Sequence, residues 1–174
     1  MKLHGIIHQF PKEIKTVIFV FIIVLSVGFY GGLSFVGNTT SMRVSGIESH
    51  YLGNEEDESA KVMKFKKSKR EILTIVHNHI LSMSVIFLLL SLILSTTSIN
   101  KKLKYFLMVE PFVSIILTFG GIYLMWTGIS WFKYIVIISG FFMVLSFVLG
   151  TFIIVYELLF LKKKNNSVDF IKKV

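Results

Sequence analysis

The sequence predicts an all-α integral membrane protein, a four-transmembrane-helix bundle with one ~38-residue extramembrane loop between helices 1 and 2. Three observations predict it. Four apolar runs are each long enough to cross ~30 Å of hydrocarbon, which takes about 20 helical residues. Apolar residues make up 53% of the chain and charged residues 17%, against roughly 25% charge in soluble domains. The charges also fall almost wholly between the runs. This pattern excludes a soluble enzyme, a nucleic-acid-binding domain, a disordered chain and a secreted disulfide scaffold. The net charge of +9 is then lysine flanking the spans, where it meets anionic headgroups. Cysteine is absent, which removes thiol chemistry and thiolate metal sites.

In order along the chain, residues 1–15 form a cytoplasmic N-terminal segment in which Leu3, Ile6, Ile7 and Phe10 have the spacing of a short interfacial helix before Pro11. His4 and His8 sit at i,i+4 on its edge. Span 1 covers 16–36, introduced by Lys12 and Lys15, and reads as a retained span, because it is too long for a signal peptide and lacks a small-residue cleavage site. The extracytoplasmic loop follows at 37–74. In it Asn54 precedes Glu55 and a run of acids, the signature of a capped helix start that continues toward span 2. The alternative is an extended piece at 62–66, with Gly46 and Gly53 as turns. Span 2 covers 75–98, span 3 105–127 and span 4 132–161, and a basic tail fills 162–174. Connections after spans 2 and 3 are short, so spans 2, 3 and 4 are antiparallel neighbours.

Lysine and arginine bias sets orientation. With both termini inside, eleven basic residues are cytoplasmic and eight lie outside, among them the run 64–70 beside span 2. The expected location is a bacterial cytoplasmic membrane.

Helices in lipid associate through small residues that let backbones approach. Span 1 offers Gly28 and Gly32; span 2 Ser84, Ser91 and Ser98; span 3 Ser114, Gly121 and Gly128; span 4 Ser139, Ser146 and Gly150. The seven-residue spacing in three spans predicts a left-handed bundle. Extending the stripes places His77, Glu110 and Glu157 on interior faces, and ionisable residues inside a membrane are functional candidates by default.

Two constellations follow. At the outer end, His77 and His79, with His50 from the loop, form a candidate metal site. With Met83 and Met125 the two span histidines make a cofactor site for haem b or a transition metal, since imidazole and thioether are ligands for both. His77 and His79 are two residues apart, so they share a direction only if the segment is extended. At the cytoplasmic end, Glu110 and Glu157 are expected at matching depth, as a structural ion pair with Lys15 or Lys104 or as a proton or cation site, and Pro111 is expected to loosen the helix beside them.

Three functions fit these features. The first is an accessory or assembly subunit of a membrane redox or respiratory complex, with an outer-face histidine site for haem or metal. The second is a component of a proton- or cation-coupled transporter using Glu110 and Glu157. The third is a haem- or quinone-binding membrane oxidoreductase. Partners are the lipid bilayer and a membrane protein or a second copy of the chain, not nucleic acid.

Overall fold

The computed structural model describes residues 6–55 and 62–160. The described chain is all helical: a 3-10 turn at Ile7–Gln9, α1 (Lys12–Thr40), α2 (Val44–Leu52), α3 (Lys69–Ser95), α4 (Lys101–Ile115), a π-helical turn (Ile116–Gly120), α5 (Gly121–Trp126) and α6 (Phe132–Phe160). Four rods of 26 to 29 residues are long and apolar enough to cross a membrane: α1, α3, the continuous α4–π–α5 unit, and α6. The first three start four to six residues before the apolar run read from sequence, because a helix does not end where hydrocarbon ends. Its last turns stay hydrogen-bonded into the headgroup region and stop at a cap.

The caps are visible. Ser68 and Glu71 form a reciprocal capping box that starts α3, so no helix runs from Asn54 into span 2. The acids after Glu55 lie outside the described residues, as do His4, Leu3 and the basic tail. Asn54 does a different job. Its carboxamide accepts from Lys64 N–H (2.6 Å) and donates to the Val62 carbonyl, while its own N–H donates to the Lys64 carbonyl. Lys67 N–H donates to the Tyr51 carbonyl, closing the segment back on α2. Gly53 turns the chain with φ +86°, and a side chain there would strike the 64–66 backbone.

Gly46, expected as a turn, lies inside α2. Its missing Cβ would sit 1.8 Å from the Thr40 carbonyl oxygen. The chain makes this corner through Ser41 and Met42, both non-glycine residues with φ 54°, a conformation costing on the order of 1 kcal/mol or more apiece. The result is a tight elbow that lays α2 against the end of α1. Lys133 and Glu48 (2.8 Å) pin α2 to α6. Trp126 Nε1 donates to the Lys67 carbonyl (2.8 Å) with the Lys66 ammonium over its ring. Together α2 and 62–68 cap the tryptophan end of the bundle.

At the opposite end three groups converge on the α3–α4 turn. Ile7, fully buried, donates its N–H to the Thr96 carbonyl. Lys104 Nζ donates to the carbonyls of Thr97 and Ser95. Glu157 accepts from the N–H and hydroxyl of Ser98.

Between the ends, α4–α5 and α6 form the centre. Their apolar windows are 44% and 39% buried, against 22% for α3 and 6% for α1. Small residues make this packing possible. Gly121 meets Val136, Gly150 meets Leu90, and Ser114, Ser139 and Ser146 are all buried. Ser91 crosses from α3 to the Met108 carbonyl of α4 (3.2 Å). Gly28 and Gly32, however, have nothing within 4 Å and face away from the bundle. Span 1 is held instead by a large residue, Phe29, stacked on Phe147 (3.8 Å, 3°) and edge-on to Phe87.

His50 in α2 yields a pH prediction. Desolvation, then the ammonium groups of Lys67 and Lys64, lower its imidazole below the ordinary 6.5, while burial pushes the neighbouring Tyr51 phenol up to about 12. The folded cap therefore favours neutral His50, and the unfolded chain takes the proton more readily. The stabilisation is fully present above the ordinary imidazole value and is withdrawn as pH falls below it. In a Trp131→Phe variant, Trp126 fluorescence should report loosening of the cap on acidification through that range. His50→Gln should flatten the response, and loosening on alkalinisation instead would contradict the assignment.

Candidate functional site

The residues singled out from sequence divide sharply once placed. His77 is exposed on α3. Extending the serine stripe back from Ser91 fails because over 73–86 α3 meets the core through half-buried Val76, Ile80 and Met83, a face that leaves His77 outside, and a 3.6-residue period drifts from a strict heptad. His79 is also exposed, with its ring stacked on Phe119 (4.8 Å). Its Nδ1 lies 2.7 Å from the Ile75 carbonyl, a bond that requires the proton on Nδ1. The segment is helical, so the two rings point roughly 200° apart. Met83 packs against the core and Met125 is fully buried within it. His50 lies on α2 against Tyr51. Among the described residues no group of three or more His, Asp or Glu side chains is arranged to hold a metal ion.

Glu157 is buried inside the bundle and Glu110 is half-buried between α4 and α6, at a different depth. Glu110 reaches Ser146, the midpoint of the 29-residue α6. Glu157 lies eleven residues further along the same helix, about 16 Å away at 1.5 Å per residue. The expectation of matched depth counted turns from the apolar edge at Tyr105, whereas α4 begins at Lys101. The expected ion pair with Lys15 or Lys104 does not form; Lys133–Glu48 is the salt bridge among the described residues. Glu157, 2% exposed, is consumed by Ser98. The carboxylate replaces the missing partners of a helix-end turn, a structural role.

Glu110 is placed otherwise. One carboxylate oxygen takes the hydroxyl of Ser114, one turn along α4, and the other takes the hydroxyl of Ser146 across the α4–α6 interface. A carboxylate has about four acceptor positions, so two remain. The side chain is half-buried at the floor of a groove of about 300 Å³ between α4 and α6, at the lower end of ligand-sized pockets. Ser114 and Ser139 share the floor. Phe106, Val113 and Leu117 from the α4 side and Ile138 and Phe142 from α6 form walls that open outward.

Pro111 does not break α4, and the irregularity falls one turn later. At Ile116–Gly120 the helix widens into a π turn, which places Thr118 against Ser139 (2.7 Å). Such turns insert one residue and re-aim the side chains around them. Here the turn completes a polar line, Ser146–Glu110–Ser114 and then Ser139–Thr118, through otherwise apolar packing. The i,i+4 pair Glu110/Ser114 is legible in sequence. The Ser146 contact and the π turn are not, because both depend on how two helices register.

Four apolar rods with polar groups satisfied internally define a polytopic helical membrane protein. The chain belongs to the Aq_1264_TM family, a transmembrane helical domain, whose model matches residues 41–166. That match takes in α2 through α6 and begins just after α1. No curated protein and no solved structure matches the chain.

The separation of the two acids has a measurable consequence. Each of Glu110→Gln and Glu157→Gln should destabilise the protein, by about 1.5–3 kcal/mol for a hydrogen bond to a charged group. The double variant should equal the sum within about 0.5 kcal/mol. Thermal unfolding in detergent measures this. A double variant as stable as either single one would show that the acids share an environment.

Proposed function

We propose that this protein is an accessory membrane subunit whose α4–α6 groove holds a lipid-soluble molecule bearing a hydroxyl group, of the quinol or isoprenoid-alcohol class. The observation that carries this reading is Glu110, half-buried at mid-span in a groove open to the bilayer, with acceptor capacity left over after Ser114 and Ser146. A ligand of this class partitions into the bilayer and enters laterally. Its hydrocarbon part lies along the Phe106, Leu117 and Phe142 walls, and its hydroxyl donates to Glu110. In hydrocarbon that bond meets little competition from water, so one well-placed donor confers orientation and selectivity. The depth of Glu110 favours this over a paired-carboxylate ion path, since Glu157 is occupied elsewhere. It also favours the groove over the histidines, whose rings do not converge.

A hydrophobic carbodiimide, which reaches carboxyl groups from the lipid phase, tests the reading. The expected result is modification at Glu110 and none at Glu157, reduced when a long-chain isoprenoid alcohol or quinol is present in the membrane and abolished by Glu110→Gln. Modification unaffected by either ligand class, or confined to Glu157, would contradict it.

A further inference from the structure

Several polar side chains in the spans have no partner among the described residues, and the one with the most donors and acceptors to satisfy is a carboxamide on α3. The carboxamide of Asn78 makes no hydrogen bond there, although its neighbours on α3 do. Thr74 returns its hydroxyl to the Arg70 carbonyl, and Ser82 to the Asn78 carbonyl. Asn78 is exposed, nine residues into α3 from Lys69, and Lys67, just before that helix, is fixed at the level of Trp126. That is about 14 Å along the helix, inside the hydrocarbon if tryptophan marks the interface. Hydrocarbon supplies no partner for an amide.

The face that carries Asn78 is regular. Thr74, Asn78, Leu81, Val85, Leu88 and Leu92 are all exposed and follow intervals of 4, 3, 4, 3 and 4. This is a heptad seam with Asn78, Val85 and Leu92 at one core position and Thr74, Leu81 and Leu88 at the other. The buried residues Phe87, Leu90, Ser91 and Leu94 lie on the opposite side of α3. Phe29 of α1 also packs on that opposite side, through Phe87, so the seam is left open along its length. From Thr74 to Leu92 it runs about 27 Å, close to the full hydrocarbon thickness.

We propose that this seam is a homodimer interface, in which α3 of one copy packs in parallel against α3 of a second copy and the two Asn78 carboxamides hydrogen-bond to each other. The second copy is favoured by complementarity. A carboxamide offers both donor and acceptor, so an identical group across a two-fold axis satisfies it, whereas a lipid chain does not. Orientation agrees. Copies inserted the same way present parallel α3 helices, and a β-branched residue beside leucine with a single asparagine is the arrangement that favours two parallel strands in fixed register. The seam does not involve the α4–α6 groove, and its failure would leave that site untouched.

The absence of cysteine makes cross-linking direct. Single cysteines at Thr74, Leu81 and Leu88 in the full chain, oxidised in native membranes with copper phenanthroline, should each give a disulfide-linked pair of this chain. A cysteine at Phe152, equally exposed but on α6, should not. In lipid dilution measured by energy transfer, Asn78→Leu should raise the dimer dissociation constant about 3- to 30-fold, and Asn78→Gln should recover part of it. Equal cross-linking at Phe152, seam cross-links only to a different protein, or an unchanged constant in Asn78→Leu would overturn the proposal.

Discussion

Hydrocarbon offers no hydrogen bonds, and the structure is organised by that constraint. Every polar group between the membrane faces must find its partner within protein. Isolated hydroxyls turn back on their own helices, as Thr16, Thr39 and Thr151 do. Others cross between helices and thereby set the packing: Ser91 to Met108, Thr118 to Ser139, Ser146 to Glu110. The α3–α4 turn, which buries Thr97 and carries free helix-end groups, is satisfied by Glu157 and Lys104. Against that background Glu110, with acceptor positions to spare, and the Asn78 carboxamide, without a hydrogen bond among the described residues, both open toward the bilayer.

The same constraint explains the hierarchy of the helices. Apolar side chains gain nothing from one another over lipid, so close packing needs either small residues or polar contacts. The α4–α5 and α6 pair has both and is the best buried. Helix α1 makes no side-chain hydrogen bond to another span among the described residues and is retained by Phe29 and the α2 elbow. The family's matched residues begin at 41, just past this loosely held span. The centre of the domain is thus the α4–α6 interface, where Glu110 sits.

Much of this was legible in the sequence. The four apolar runs gave the spans, because length and hydrophobicity are nearly sufficient in lipid. The serine and glycine stripes of spans 3 and 4 pointed inward, as Ser114, Ser139, Ser146 and Gly150 do. The same logic misplaced Gly28 and Gly32, since small residues permit close approach without requiring it. His77 points outward because α3 packs there through Val76, Ile80 and Met83, which the serine heptad does not reveal. The depth of Glu110 was misjudged because depth is set by inter-helix register, which composition does not encode. Gly46 read as a turn because nothing local reveals that Thr40 lies 1.8 Å from where its Cβ would be.

The central claim is that Glu110 is fixed at mid-span by Ser146 in a water-poor groove. Solid-state NMR of the full chain in lipid bilayers, with carbon-13 in glutamate and serine, tests it most directly. The account predicts a cross-peak between the Glu110 carboxyl carbon and Ser146 Cβ, with polarisation reaching that carboxyl from lipid acyl protons. A carboxyl that correlates with bulk water and gives no peak to Ser146 would contradict it.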